Sequence, residues 1–309
     1  MKISIVGAGA MGSLYGSALA STGQDVVLYD INEEHVRAVN SSGMTVEEAG
    51  SDKSAVARPK ASTDPGSVKG SDLVIVFVKS TATEAVAKQF SSILGDRGIV
   101  ITLQNGVGNE AILKRYFGES RTAAGVTSQG ATFLGPGRIR HAGKGPTHLC
   151  MSDNDNTKLE DFVAALNNAG FETHIEKNID NLIWSKLVIN VGINALTALT
   201  GLHNGELLDF GETKELIRDL VDEAVAVVEA KGLVLTYDNP VERVYSVCEK
   251  TGGNRSSMLQ DFDRKSRSEI DFINFAVVRE AEELGISAPV NRTVARLVKT
   301  YDNIHGSGQ

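Results

Sequence analysis

The chain has little cysteine and no excess of positive charge. Its 309 residues include two cysteines, Cys150 and Cys248, and its formal net charge is −8. Two cysteines exclude a disulfide framework, and neither they nor the six histidines show the spacing of a metal site. The low cysteine content fits a reducing cytoplasm, where we expect the protein to be located. No nucleic-acid partner is expected, because nucleic acid is bound by basic surfaces.

Targeting and membrane signals are also lacking. The first residues, MKISIVGAGAMG, show neither the charged nor the apolar region of a signal peptide. No apolar run is long enough to predict a membrane span, so no membrane partner is expected. The composition, 41% hydrophobic and 23% charged, is that of a globular protein, and the length suggests two domains.

The first half of the chain alternates short apolar runs with helical patterns, which predicts an α/β fold with a parallel sheet. After Glu176 the pattern becomes almost entirely helical. We therefore predict a Rossmann-type dinucleotide-binding domain over residues 1–176 and an all-helical substrate and dimerisation domain over 177–309. The main predicted strands are 3–6, 26–29, 73–78 and 99–103, and the predicted helices of the second domain are 179–199, 214–231, 240–249, 269–284 and 291–301.

A glycine-rich motif, G-x-G-x-x-G, directly follows the first predicted strand and opens a helix, which is the context that a dinucleotide-binding loop requires. The first glycine permits a tight turn, the second lets the backbone approach a pyrophosphate, and the third lets the helix pack on the strand. A glycine turn without a ligand is the alternative. The motif consists of Gly7, Ala8, Gly9, Ala10, Met11 and Gly12.

Asp30 ends the second predicted strand, where an acidic residue binds the adenosine ribose hydroxyls. Its charge would repel the 2′-phosphate of NADP(H), and the nearest basic residue is Arg37. NAD(H) is therefore favoured over NADP(H). In the alternative interpretation, Asp30 only caps the following helix.

Polar side chains form a row on the apolar helix predicted for 179–199. Lys186, Asn190, Asn194 and Thr197 follow one another at spacings of four, four and three residues. At about 100° per residue they occupy a stripe roughly 80° wide. A lysine in such a row has its pKa lowered by burial and can donate a proton near neutral pH. The alternative is a narrow solvent-exposed face.

Four further residues have both a functional and a structural interpretation. Lys79 and Asn105 each follow a predicted strand at the edge where ligands bind, although Asn-Gly is also a common turn dipeptide. Ser257 begins a capping-box pattern, and Glu269 stands at the start of a predicted helix, where acidic residues are common.

Five segments of the sequence resemble the ketopantoate reductase family over nearly the whole chain. They are GAGAMGS, VKS, LQNGVGN, IWSKLVINVGINALTAL with the following NGEL, and SSMLQDFDRKSRSEIDFIN. The resemblance implies hydride transfer from a nicotinamide to the C2 carbonyl of 2-dehydropantoate, giving (R)-pantoate.

The resemblance also implies a role for individual residues. Lys186 matches the general acid, and Glu269 matches a carboxylate near the cofactor ribose and the catalytic lysine. The remaining matches are substrate-binding Asn105, Asn190, Asn194, Asn204 and Ser257, and cofactor-site Lys79, Asn105 and Ala131.

One departure from the family keeps alternatives open. Many members place an arginine after the second strand to hold the 2′-phosphate, whereas this chain has Tyr29, Asp30, Ile31 and Asn32. An NAD-dependent D-2-hydroxyacid dehydrogenase for other branched or aromatic 2-oxo acids is therefore the second hypothesis. A dinucleotide-sensing protein without catalysis is the third. A homodimer is possible through the apolar helix near 216–228, which alternatively packs internally.

Overall fold

The computed structural model describes residues 1–96 and 98–306. Short apolar runs form strands and the longer periodic segments form α-helices, as the sequence indicates. The strands are β1 (Lys2–Val6), β2 (Asp25–Tyr29), β3 (Met44–Glu48), β4 (Ser54–Ala57), β5 (Lys60–Ser62), β6 (Leu73–Val76), β7 (Ile99–Thr102), β8 (Thr122–Thr127), β9 (Gly130–Gly135), β10 (Arg138–Gly143), β11 (Thr147–Met151) and β12 (Thr173–Ile175).

The α-helices are concentrated in the second half of the chain. They are α1 (Ala10–Ser21), α2 (Glu33–Ser42), α3 (Thr83–Leu94), α4 (Asn109–Phe117), α5 (Glu160–Asn168), α6 (Asp180–Thr200), α7 (Gly211–Ala230), α8 (Pro240–Lys250), α9 (Ser257–Asp263), α10 (Asn274–Glu283) and α11 (Pro289–His305).

The strands form an eight-stranded sheet in the order β12-β11-β8-β7-β6-β1-β2-β5 and a four-stranded sheet in the order β4-β3-β10-β9. Neighbours in the larger sheet are parallel except for β11 and β8, which are antiparallel. The predicted α/β class with a parallel sheet and a helical second part is confirmed. In the larger sheet, the residues predicted to bind the dinucleotide follow the carboxyl ends of β1, β2, β6 and β7.

The chain divides into two compact units. The first contains Met1–Gln104 and Asn109–Ile179, and the second contains Asn105–Gly108 and the chain from Asp180 onward. The short segment Asn105–Gly108 thus groups with the helical unit, although it lies within the first predicted domain. The reason is that this segment contacts residues far along the chain, and the periodicity of the sequence does not reveal such contacts.

Helix α6 is the centre of the second unit. Its apolar side chains are buried among those of α7, α8 and α11, and Leu187, Val188 and Val191 are at most 1% exposed. By length and hydropathy α6 is apolar enough to cross a membrane, so the expectation that no run is long enough is wrong on those criteria. However, 67% of its apolar window is buried within the protein, as in a core helix.

Helix α7 also packs internally along its apolar face. Ile217, Leu220 and Val221 on this helix are fully buried within the unit. This face is therefore covered by the chain itself.

Candidate active site

The glycine loop makes the sharp turn and close approach that its residues predict. Gly7 follows β1 with φ at +96°, and a Cβ there would lie 2.6 Å from the backbone nitrogen of Val78. A Cβ at Gly12 would lie 2.0 Å from the carbonyl oxygen of Gly7. Glycine is therefore required at both positions by the protein's own packing.

Gly9 differs from its two neighbours in the motif, because a Cβ there would meet nothing within 4 Å. Gly9 is exposed and stands at the N-cap of α1, where no side chain caps the helix. Open space in front of a helix N-terminus is what an approaching phosphate needs. The loop therefore fits a pyrophosphate. Packing within the protein explains the glycines at positions 7 and 12 but not the glycine at position 9.

Asp30 lies at the end of β2 and holds the glycine loop. Its carboxylate accepts the backbone N–H of Ala8 at 2.7 Å and that of Asn32 at 2.9 Å. The cap of α2 is Asn32, whose side chain accepts the N–H of His35 at 3.0 Å. The alternative that Asp30 is the helix cap is therefore wrong.

A buried serine and histidine support the same loop, and the sequence interpretation missed both. The hydroxyl of Ser13 donates to the carbonyl of Ala8 at 2.7 Å and lies 3.3 Å from Nε2 of His35. Nδ1 of His35 accepts the N–H of Gly137 at 3.2 Å, which leaves the proton of a neutral ring on Nε2. Burial lowers the pKa of His35, against the opposing charge of Asp30, so the neutral ring is the form that this network uses.

A polar network fixes the ends of β6 and β7 around Lys79. The Gln104 amide donates to the carbonyl of Val78 at 2.7 Å and to the hydroxyl of Thr83 at 2.8 Å. The Asn109 amide donates to the Ser80 hydroxyl at 3.0 Å. Lys79 itself is exposed, between two residues that are held in this way. No sequence pattern indicated this role of Gln104, because its partners Val78 and Thr83 follow the neighbouring strand β6.

The polar row of α6 is not a solvent-exposed face. Lys186 and Asn190 are half-buried, Asn194 is 7% exposed and Thr197 is fully buried. The Thr197 hydroxyl bonds within its helix and lies 2.6 Å from the hydroxyl of Ser256. The end of the row at Asn194 and Thr197 therefore faces protein groups, whereas Lys186 and Asn190 keep partial access to solvent.

Lys186 and Glu269 interact electrostatically within the second unit. Removal from water lowers the pKa of Lys186 to about 8, and the charge of Glu269 acts in the opposite direction. Glu269 is 7% exposed. A lysine with this pKa is an ammonium at pH 7 that releases its proton readily, which suits a general acid.

Glu269 does not begin a long helix. A short 3-10 turn over Ile270–Phe272 follows it, and α10 starts only at Asn274. The prediction of one helix over 269–284 is therefore wrong at its start. The apolar periodicity continues through this segment, but the backbone of Ile273, at φ −114° and ψ −94°, interrupts the helix.

The cap of α9 is Ser256 rather than Ser257. The Ser256 hydroxyl accepts the N–H of Leu259 at 3.1 Å, whereas Ser257 is exposed at the first helical position. Ser257 is thus not needed for the capping role that its pattern suggested.

The side chain of Asn204 is buried, and only part of its hydrogen-bonding capacity is used. Its amide donates to the hydroxyl of Thr251 at 2.9 Å, and its backbone N–H donates to the carbonyl of Asn254 at 3.0 Å. Its side-chain oxygen is buried without a hydrogen-bond partner. A buried amide oxygen with spare accepting capacity is a costly feature that a ligand hydroxyl would satisfy.

Each unit gathers part of the predicted site. The first carries the glycine loop, Asp30 and Lys79 at strand ends of the larger sheet, whereas Ala131 lies on β9 of the smaller sheet, opposite His141. The second unit carries Glu269, predicted to lie near the cofactor ribose and the catalytic lysine, and the residues predicted to contact substrate: Asn105, Lys186, Asn190, Asn194, Asn204 and Ser257.

Comparison with known proteins gives a consistent family. A profile described as ketopantoate reductase PanE/ApbA matches residues 3–154, and its C-terminal counterpart matches residues 178–302. The 2-dehydropantoate 2-reductase of Halobacterium salinarum is 36% identical over 300 residues, which are 97% of this chain and 98% of that protein.

Solved structures agree with these sequence matches. The PanE/ApbA family ketopantoate reductase of Ralstonia eutropha has a TM-score of 0.90 at 34% identity and covers 99% of both chains. D-mandelate dehydrogenase, in a ternary structure with NADH and anilino(oxo)acetate, has a TM-score of 0.89 at 27% identity, over 98% of this chain and 99% of its own. The resemblance drawn from the sequence motifs is confirmed, and the chain belongs to the ketopantoate reductase family of nicotinamide-dependent oxidoreductases.

Proposed function

We propose that this protein reduces 2-dehydropantoate to (R)-pantoate, with the first unit binding the nicotinamide dinucleotide and the second binding the substrate. The observation that carries the proposal is Lys186, with its pKa lowered to about 8 beside the charge of Glu269, on a row with Asn190 and Asn194. The substrate name comes from relatives that cover nearly the whole chain at up to 36% identity.

Lys186 acts as the proton donor in this reaction. Its ammonium stabilises the negative charge that develops on the C2 oxygen and then transfers a proton to it. The amides of Asn190 and Asn194 donate hydrogen bonds to substrate oxygens from the same face of α6. Asn105, Asn204 and Ser257 complete the substrate contacts in this proposal.

The bound nicotinamide supplies the hydride. The chain holds the dinucleotide with the α1 N-terminus at Gly9, where the open space suits a pyrophosphate. Lys79 and Ala131 would be further cofactor-site residues, and Glu269 would lie near the cofactor ribose.

We propose NADH as the preferred reductant. The Asp30 carboxylate is fixed against the loop by the Ala8 N–H, at the strand end where dinucleotide-binding folds carry an acidic residue for the ribose hydroxyls. A 2′-phosphate there would meet a negative charge. Arg37, the nearest basic residue in the sequence, lies 3.7 Å from Glu33 in an exposed ion pair.

A second candidate is an NAD-dependent D-2-hydroxyacid dehydrogenase that acts on other branched or aromatic 2-oxo acids. The similarity to D-mandelate dehydrogenase with NADH supports it, together with Asp30. Steady-state assays of 2-dehydropantoate, 2-oxoisovalerate and phenylglyoxylate, each with NADH and NADPH, separate the two. A higher kcat/KM for 2-dehydropantoate supports the first candidate, and a higher value for either other acid replaces it with the second.

The third hypothesis, a dinucleotide sensor without catalysis, predicts a binding signal for NADH and no turnover of any acid in that panel. Retention of Lys186, Asn190, Asn194 and Glu269 argues against it, because a sensor does not need a proton donor. A cytoplasmic location is also part of the proposal, because Cys150 and Cys248 are both buried thiols.

A homodimer is part of the proposal. Leu297 and Ile304 on α11 are 54% and 63% exposed, and being seven residues apart they share one face of the helix. A second copy of the chain could cover these apolar side chains in a symmetric contact. Light scattering at several concentrations tests this, and a monomer mass at all of them would contradict it.

A further inference from the structure

Asp302 is a buried carboxylate that lies far along the chain from the proposed site residues. It lies near the end of α11 and is 4% exposed. Its oxygens accept the backbone N–H of Ser268 at 3.2 and 3.3 Å and the Ser268 hydroxyl at 2.7 Å. All of these contacts converge on one residue, and that residue directly precedes Glu269.

Ser268 makes hydrogen bonds that hold the backbone on both sides of Glu269. Its side chain is 1% exposed, and its hydroxyl oxygen also accepts the N–H of Ile270 at 3.4 Å. The backbone before and after Glu269 is therefore tied to the same serine, which in turn is held by Asp302. Rotation of the Glu269 backbone would break at least one of these bonds.

The rest of the turn is anchored as well. Lys299, one helical turn before Asp302, pairs with Asp271. The carbonyl of Phe272 accepts the N–H of Val107 at 2.9 Å, within the segment Asn105–Gly108. The turn 268–272 thus connects α11 to two of the proposed site residues.

Attachment of α11 does not require a carboxylate at position 302. The helix is already packed through Val294, Ala295 and Val298, which are at most 5% exposed. Burying a charge is costly, and well-packed apolar groups commonly stabilise as well or better. The carboxylate instead imposes a geometry, because both of its oxygens accept from one backbone position.

We propose that Asp302 is a positioning residue for the reaction: through Ser268 it fixes Glu269 at the place from which Glu269 acts on Lys186. This inference rests on the proposed role of Lys186 as proton donor. It assigns Asp302 no contact with substrate or cofactor. Loss of the carboxylate should release Glu269 and reduce its influence on the lysine.

The test compares Asp302→Ala and Ser268→Ala with Tyr301→Phe, a control on the same helix that removes one hydroxyl donating to the Phe262 carbonyl at 3.5 Å. The first readout needs no substrate. The pKa of Lys186 is measured by NMR in protein carrying ¹³Cε-lysine, with the signal assigned from Lys186→Arg. The second readout is kcat and KM for reduction across pH, with thermal melting recorded for every variant.

We expect both alanine variants to lower the pKa of Lys186 by about 0.5 unit or more, because Glu269 raises it. We also expect kcat to fall by about tenfold with a smaller change in KM, and Tyr301→Phe to match the wild type. A folded Asp302→Ala with the wild-type lysine pKa and kcat would overturn the proposal. If Asp302→Ala does not fold, the same values in Ser268→Ala overturn it.

The NMR readout separates failure of this inference from failure of the proposed function. If the wild type does not reduce 2-dehydropantoate but the lysine pKa falls in both alanine variants, the positioning role stands and the substrate assignment fails. If the wild type is active and the lysine pKa does not change, the substrate assignment stands and the positioning role fails.

Discussion

The charge of Glu269 raises the pKa of Lys186, against the larger effect of burial, which lowers that pKa to about 8. The two effects together keep the lysine protonated at neutral pH while making it a better acid than an exposed lysine. Reduction of a 2-oxo acid consumes that proton, so the pKa of Lys186 should set the pH dependence of the reaction.

Reduction should therefore lose activity as the pH rises through about 8, because the required ammonium is present below the pKa and lost above it. Oxidation of the hydroxy acid, which needs the neutral amine, should gain activity over the same range. Replacing Glu269 by Gln removes a charge that raises the lysine pKa, so the alkaline limb of kcat/KM should move to lower pH. A limb that stays in place or moves upward would show that Glu269 does not act on Lys186.

Asp30→Ala should change the choice of reductant. Without the carboxylate, the 2′-phosphate is no longer repelled, and we expect kcat/KM with NADPH to rise by about tenfold, equivalent to ~1.4 kcal/mol. NADH should bind more weakly, since Ala8 also loses its hydrogen-bond acceptor. Glu33→Ala, which frees Arg37 without removing Asp30, is the matched control. An unchanged NADPH to NADH ratio in Asp30→Ala would contradict the repulsion argument.

Gly9 and Gly12 should respond differently to the same substitution. Gly9→Ala places a methyl group in open space on a backbone with φ −63°, so the protein should fold normally but bind dinucleotide more weakly. Gly12→Ala places it 2.0 Å from a carbonyl oxygen and should impair folding. Thermal melting and titration of the cofactor distinguish the two. Full dinucleotide affinity in Gly9→Ala would argue against a pyrophosphate at the loop.

Ser256 and Ser257 form a second matched pair. Ser256→Ala removes the cap of α9 and the bond to Thr197, and should cost about 1 kcal/mol of unfolding free energy. Ser257→Ala should leave stability unchanged and raise KM for the 2-oxo acid. Denaturant unfolding and steady-state kinetics check both. Reversed results would return the capping role to Ser257 and remove it from the substrate site.

The sequence predicts the glycine loop and helix α6 because their signals are local. A strand, three glycines and a helix follow one another within the first residues, and the row from Lys186 to Thr197 follows helical spacing. Strands β3 and β9 were not predicted. Each pairs with β10, and the pair of Thr45 with Arg138 joins segments far apart in the chain.

Two details at the site could not be predicted for the same reason. The capping-box pattern begins at Ser257, yet the helix is capped by the adjacent Ser256, which also lies 2.6 Å from the Thr197 hydroxyl on another helix. The helix expected from Glu269 is broken at Ile273, after a 3-10 turn, and Ser268 just before Glu269 is held by Asp302 on α11. In both places the structure contains a hydrogen bond between segments far apart in the chain, which local sequence patterns do not reveal.

The central claim is that Lys186 donates the proton in reduction of 2-dehydropantoate, and Lys186→Ala with NADH tests it most directly. We expect kcat to fall by about 10² to 10⁴-fold, the usual contribution of a general acid, while the dissociation constant for NADH in a fluorescence titration stays near the wild-type value. Wild-type turnover of 2-dehydropantoate by a folded Lys186→Ala variant would contradict the account.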